Sequence, residues 1–283
     1  MKYEVAKTNR LGNRQINQDR AGIVETSEGL LLVVADGLGG TSGGEIASET
    51  AVNSVIRQFN NASRPLEKPD LFINQVIMRA HREVIAVSNA HQPPIQAKTT
   101  IVVCVVQNGF AYWGHVGDSR LYVIRGGRIV KQTIDDSKVE QLFQQGVISE
   151  AEKLTHPERN LITQCIGSNT ISLQPKLSPA MALQKNDVLL LCTDGLWAAL
   201  PEKEMIGTLD YPNFDRALEF MSRNAESASY PNSDNISAVG LRWQSENTQQ
   251  EPKFIANTNV ESDEIETELE EIVKQLENIV GKR

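Results

Sequence analysis

Four aspartates in this chain sit at the edges of apolar, strand-like runs, and two of them are followed by Gly and then by helical sequence. Asp36 closes the run Leu30–Ala35, and Asp194 follows Leu189-Leu190-Leu191-Cys192-Thr193. Asp118 lies in Gly117-Asp118-Ser119 between two runs, and Asp234 stands just before the run that starts at Ile236. A sheet edge that gathers four carboxylates constrains the fold, because their charges must be compensated. Two unit charges about 4 Å apart repel by roughly 4 kcal/mol at an effective dielectric near 20. Protonation or bound cations relieve that repulsion, and hard oxygen ligands point to Mg²⁺ or Mn²⁺.

Strands are expected near 19–25 and 29–35, and helices over 44–59 and 69–90. The first helix repeats Ala47, Ala51, Val55 and Phe59, and the second Ile73, Ile77, Ala80, Val84 and Val87. Pro93-Pro94 blocks any continuation of the second helix. From Thr99 to Thr133 the pattern turns to period two, with Asn108-Gly109 and Gly126-Gly127 as hairpin turns. A four-stranded meander is expected there, with Gly117-Asp118-Ser119 joining its middle strands. Ser149-Glu150-Ala151-Glu152 reads as a capping box and Gly146 as a helix stop. Strands return at 188–193 and 236–243, around a helix over about 214–225. Helix and strand runs are segregated, which favours an α+β layered domain over a doubly wound parallel sheet.

After Trp243 the composition shifts. Residues 244–260 read as a polar linker and 261–283 as an acidic amphipathic helix. That tail holds eight acids against Lys274, Lys282 and Arg283, so it supplies −5 of the net −8. Ile265, Leu269, Ile272, Leu276 and Ile279 form a seam of little more than two heptads, below the three or four of a sustained coiled coil. A helix docked on its own domain, a frayed helix and a protein-contact helix all fit it.

An Asp-Gly pair after a strand is most often a hairpin turn. At Asp36 and Asp194 that reading fails, since helical sequence rather than a return strand follows. At Asp118 and Asp234 a plain turn or cap role stays open. The glycines at 37, 39, 40, 43 and 44 match neither a P-loop nor Gly-x-Gly-x-x-Gly; they suit close approach of backbone to a ligand. Arg14, before Asn17-Gln18-Asp19, offers a guanidinium fork for a phosphoryl group, though a lone Arg is more often a surface cation. His81 and His91 read as surface residues. No Gly-x-Ser-x-Gly elbow and no activated Cys supports a covalent mechanism.

The composition excludes other classes. A net charge of −8 without a basic cluster argues against nucleic acid and anionic membrane. The longest apolar run, Ile101–Val106, is too short to span a bilayer. Cys104, Cys165 and Cys192 lie far apart, and Cys104 and Cys192 read as buried thiols. The N-terminus lacks a signal-peptide core. A soluble, cytoplasmic protein is expected.

Taken in order, Arg14…Asn17-Gln18-Asp19, Ala35-Asp36-Gly37-Leu38-Gly39-Gly40, Thr99-Thr100, Gly117-Asp118-Ser119-Arg120, His156-Pro157-Glu158-Arg159-Asn160, Thr193-Asp194-Gly195 and Asp234-Asn235 resemble the metal-dependent protein phosphatases of type 2C, in their compact bacterial form. The resemblance covers about residues 1–243. It implies a sandwich of two antiparallel β-sheets flanked by α-helical layers (α-β-β-α), with a two-metal site at one end. It implies that Asp36 bridges two Mn²⁺ or Mg²⁺ ions and that the Gly37 carbonyl adds a ligand. Asp194 and Asp234 would hold the first metal, Asp118 with Asp194 a weaker third ion. Arg14 would bind the substrate phosphate, and Asp19 would order a bound water. The implied reaction is hydrolysis of phosphoserine and phosphothreonine in phosphoproteins, the products of a serine/threonine kinase, by direct attack of a metal-bridging hydroxide.

Three departures stand out. Leu38 takes the place where many relatives carry a His acid, so a metal-bound water must protonate the leaving group. Gln18 stands where many members have Glu, and, third, Lys98 stands where the family has Gly, along with Asp135-Asp136-Ser137 in place of Asp-His-Ser or Asp-His-Thr. A non-catalytic phosphoprotein-binding scaffold on the same fold, and a phosphoesterase for small molecules, are the competing functions.

Overall fold

The structure is a computed structural model and describes residues 1–38, 43–168 and 172–246. The chain begins with β1 (Tyr3–Arg10), β2 (Arg20–Glu25), β3 (Leu30–Ala35) and the two-residue β4 (Gly37–Leu38). The helices α1 (Gly44–Asn61) and α2 (Pro69–Ala90) follow, then β5 (Lys98–Thr99), β6 (Ile101–Gln107), β7 (Phe110–Val116), β8 (Arg120–Arg125) and β9 (Arg128–Gln132). Two short helices, α3 (Lys138–Gln144) and α4 (Glu150–Lys153), lead to β10 (Lys176–Leu177), β11 (Met181–Ala182) and β12 (Val188–Cys192). The last elements are α5 (Asp194–Trp197), α6 (Glu202–Leu209), α7 (Phe214–Ala228) and β13 (Ile236–Trp243).

Two antiparallel sheets stack face to face. One has the order β1-β13-β12-β8-β9, the other β10-β7-β6-β3-β2. Strand β3 shows why its sequence is apolar at every position. Leu30, Leu32 and Val34 point between the sheets, where they meet Val102, Cys104, Leu121, Leu189, Leu191, Val239 and Trp243. Leu31, Val33 and Ala35 point the other way, onto Ala47, Ala51, Val55, Ile73, Ile77 and Val84 of α1 and α2. A strand with both faces covered has no polar side to alternate with. Outside the other sheet, Phe214, Leu218, Met221 and Ala225 of α7 cover Tyr122, Leu190, Cys192 and Ala238. The order of layers is therefore helix, sheet, sheet, helix, as expected.

Both hairpin turns form where the sequence placed them. Asn108 and Gly109 have φ of 54° and 78°, and Gly126 and Gly127 have 56° and 70°, the paired positive values of a type I′ turn. The meander does not form. Strand β7 pairs β6 in one sheet and β8 pairs β9 in the other, so Gly117-Asp118-Ser119 is a crossing between sheets and not a hairpin turn. Local periodicity cannot distinguish these, because both give strand, break, strand. The Ser149–Glu152 capping box is present, although α4 continues for only one turn. His81 is buried rather than exposed, and its Nδ1 accepts from the Gly167 N–H at 3.1 Å. The compact unit spans Met1–Gln249. Most of the expected linker and all of the acidic helix at 261–283 lie outside the described residues.

Candidate metal centre

The loops that leave β3, β7 and β12, and those that enter β2 and β13, bring five carboxylates to one end of the sandwich. Asp36 follows β3 and is fixed through its backbone. Its N–H donates to Thr100 Oγ1 at 3.0 Å, and its carbonyl accepts from the Thr100 N–H at 2.9 Å and from Thr99 Oγ1 at 2.8 Å. Thr100 Oγ1 lies 2.7 Å from Ser119 Oγ, so the loops of Asp36 and Asp118 are tied together across the two sheets. Gly37 follows in β4, opposite Thr99, and its N–H donates to the Gln18 carbonyl at 3.1 Å. A Cβ at Gly37 would lie 2.3 Å from the Gly44 carbonyl oxygen, so only Gly fits there.

Asp19 is 1% exposed, and one carboxylate oxygen accepts from Thr193 Oγ1 at 2.8 Å. Asp194 begins α5 immediately after Thr193. Asp234 is held by Asn235. The Asn235 N–H donates to Asp234 Oδ1 at 2.8 Å, while the Asn235 side chain accepts from the Gln18 N–H and donates to the Leu11 carbonyl, both at 2.8 Å. Arg14 pairs with Asp234, Nη2 to Oδ2 at 2.7 Å, with both groups partly exposed. The structure thus brings together all seven residues singled out in the sequence. It also reveals partners that the motifs did not announce: Thr193 on Asp19, and Trp197, whose Nε1–H donates to the Asp118 carbonyl at 3.1 Å.

The electrostatics follow from burial. Desolvation first, then the charges of Asp194 and Asp234, push Asp19 up to about 7 against the pull of its Thr193 hydrogen bond. Burial and the fields of Asp19, Asp194, Asp118 and Asp234 hold Asp36 well above the carboxylate range. Asp118 is held well above it by burial, then by Asp194 and Asp135. Asp194 is raised by burial and by Asp234, partly offset by a hydrogen bond with Asp36. Arg14 on Asp234 and the more distant Arg120 near Asp118 offset this only in part.

These residues fit divalent cations. All are hard oxygen donors, and Asp118 Oδ1 is buried with no hydrogen-bond partner. Among the described residues no trio of His, Cys, Asp or Glu is already closed around one point. The reason is visible in the partners, since Arg14 occupies an oxygen of Asp234, Thr193 occupies one of Asp19, and bare carboxylates repel. A cavity of about 420 Å³ lies over Asp36, Gly37, Asp118, Asp194 and Asp234. It adjoins a second of about 570 Å³ whose other walls are Val139, Lys153, Leu154 and Trp197, and Arg14 and Asn160 line both.

The protein phosphatase 2C family model matches residues 8–239. The chain belongs to that family. Among its 2C relatives, the protein phosphatase PhpP of Streptococcus pneumoniae is 31% identical over 205 residues, 70% of this chain and 80% of the relative. The serine/threonine phosphatase Stp1 of Staphylococcus aureus superposes with a TM-score of 0.80 at 26% identity, over 87% of this chain and 96% of that one. The catalytic domain of the serine/threonine phosphatase PstP, solved in complex with 2 manganese ions, shares the fold with a TM-score of 0.74 at 23% identity, over 86% and 99%.

Proposed function

We propose that this chain removes phosphate from phosphoserine and phosphothreonine in proteins at a centre of two divalent cations held by Asp36, Asp194 and Asp234. The family assigns the chain to the protein serine/threonine phosphatases, and catalysis in that family depends on metal. The gathering of five carboxylates at one end of the sandwich, with Arg14 paired to Asp234 beside them, carries the reading. Asp36 and the Gly37 carbonyl would hold these ions with Asp194 and Asp234, and Asp118 with Asp194 would serve a weaker third ion. Mn²⁺ is the leading choice and Mg²⁺ the second, both matched by the oxygen donor set.

When bound, the cations supply Lewis-acid stabilisation of phosphoryl charge and activate water at neutral pH. The chain's own residues supply the rest. Arg14, now paired with Asp234 at the mouth of the site, would offer its planar fork to the phosphoryl oxygens. Asp19, anchored by Thr193, would orient water beside the cations. Leu38 has no proton to give, so the leaving oxygen takes its proton from water. The paired cavities suit a phosphorylated side chain in one and its flanking residues in the other.

The substrate is a phosphoprotein, and a serine/threonine kinase is the proposed source of its phosphate. The proposed location is the cytoplasm. The free thiols Cys104, Cys165 and Cys192 support a reducing compartment, and no helix among the described residues is long and apolar enough to cross a membrane. Hydrolysis of p-nitrophenyl phosphate and of a phosphothreonine peptide, each titrated with Mn²⁺, tests the reading. Activity is expected to need millimolar Mn²⁺ or less and to fall more than about 100-fold in Asp36→Ala and Asp194→Ala, more than a loss outside the ligand set costs. Tight phosphopeptide binding without turnover would favour the scaffold instead.

A further inference from the structure

Asp118 is the odd member of the carboxylate group. It is 6% exposed and its Oδ1 meets no hydrogen-bond donor, whereas Asp19 accepts from Thr193 Oγ1 and Asp234 from both Arg14 and the Asn235 N–H. A buried acceptor left unpaired costs about 1–3 kcal/mol, and more when charged. Such a group stays in place only if its backbone is held from elsewhere.

Two adjacent aspartates hold it. Asp136 grips Gly117 twice: the Gly117 N–H donates to Asp136 Oδ2 at 3.1 Å, and the Gly117 carbonyl accepts from the Asp136 N–H at 2.9 Å. On its other side Gly117, at φ +101°, is pressed against Thr100, where a Cβ would lie 2.6 Å from Cγ2. The carboxylate of Asp136 is balanced by Lys176 of β10, whose Nζ is 2.7 Å from Oδ1. Lys176 also donates to the carbonyls of Ile134 at 3.0 Å and Asp135 at 3.3 Å, so all three ammonium protons serve this corner. Asp135 works from the opposite side. It takes Arg120 in a fork, Nε to Oδ1 at 3.0 Å and Nη2 to Oδ2 at 2.8 Å. The Arg120 guanidinium lies 3.6 Å over the Trp197 ring, and Trp197 Nε1–H reaches the Asp118 carbonyl.

We propose that the Asp135–Asp136 doublet, with Lys176 and Arg120 as its counter-charges, is the positioning device that fixes the Asp118 backbone from both sides and aims its unpartnered oxygen at a divalent cation. Asp136 is the stronger arm, because it touches the neighbouring peptide directly. The inference rests on the reading of Asp118 as a cation ligand. A purely structural role is the rival account, since the Asp136 carboxylate also accepts from Gln164 Nε2 at 3.4 Å, beside the backbone bond from the Thr163 N–H to the Asp136 carbonyl at 2.7 Å.

Calorimetric titration of Mn²⁺ into the chelator-stripped full chain separates them. Asp118→Asn defines which binding event depends on Asp118. Asp136→Ala is expected to weaken that event about 10–100-fold, the usual cost of losing a partner that orients a ligand. It should leave the other events unchanged and add nothing in the Asp118→Asn background. An Asp136→Ala isotherm equal to wild type overturns the proposal, and so does an equal loss with or without Asp118. If Asp136→Ala does not fold, Lys176→Met carries the same test, with about a tenfold loss expected and an unchanged isotherm overturning it. A wild-type chain that binds no Mn²⁺, or an Asp118→Asn chain that binds as wild type does, overturns the ligand reading itself, and this proposal with it.

Discussion

Replacing Asp19 by Asn should stabilise the cation-free protein at pH 8 and fail to stabilise it at pH 5. In the folded chain burial and the charges of Asp194 and Asp234 keep Asp19 protonated up to about 7. In the unfolded chain it ionises near 3.9. Between those values the folded state holds a proton that the unfolded state has released, so stability falls as pH rises through the window from about 4 to about 7. Below it the penalty is absent, and above it the penalty is complete. A span of about three pH decades at 1.36 kcal/mol each amounts to about 4 kcal/mol. Asn keeps an acceptor for Thr193 Oγ1 but brings an NH₂ into a site that is 1% exposed, at a cost of about 1–3 kcal/mol. The net gain at pH 8 is therefore about 1–3 kcal/mol, whereas at pH 5 only about one decade of the window has been crossed, and the roughly 1.4 kcal/mol relieved is cancelled by the cost. Urea unfolding in the presence of a chelator measures both, with an unchanged slope as the check that the denatured state is unaltered. Equal destabilisation by Asp19→Asn at the two pH values, without cations, would refute the electrostatic account.

Arg14→Ala should raise KM for a phosphopeptide more than it lowers kcat, by about 10-fold or more, the loss of one charge-assisted contact of about 1.5–3 kcal/mol; steady-state kinetics at saturating Mn²⁺ decides it. Gly195→Ala should lower the melting temperature of the cation-free chain, because the new Cβ would sit 2.1 Å from the Asn235 carbonyl oxygen. Overpacking of about 1–3 kcal/mol corresponds to a drop of several degrees at this size, readable by calorimetry.

Much of the scaffold was legible in the sequence because its signals are local. The second long helix runs from Pro69 to Ala90, the limits expected from its apolar repeat and from Pro93-Pro94. Asp36 and Asp194 announced themselves by failing as hairpin turns. Asp118 did not, because pairing between strands far apart in the chain decides whether a break between two runs is a turn or a crossing. The same limit hid His81. Its helical spacing from Ile77 and Val84 puts it on the buried face, but the Gly167 N–H that satisfies its ring comes from 86 residues away. Asp135-Asp136 read only as a departure from a pattern. Its role became visible once Lys176 and Arg120 were placed beside it, from strands of opposite sheets.

Strand β13 pairs along its whole length with β1, from Tyr3↔Trp243 to Arg10↔Ile236, and separates β1 from β12. During synthesis the first strand therefore waits for the last. Until Ile236–Trp243 leaves the ribosome, one sheet is split in two and Asp234 has not arrived. A nascent chain can close its β3-β6-β7 sheet and helices early, yet it has no complete carboxylate group to capture cations and no means of acting on phosphoproteins around it. A chain truncated before Ile236 is therefore expected to lack phosphatase activity.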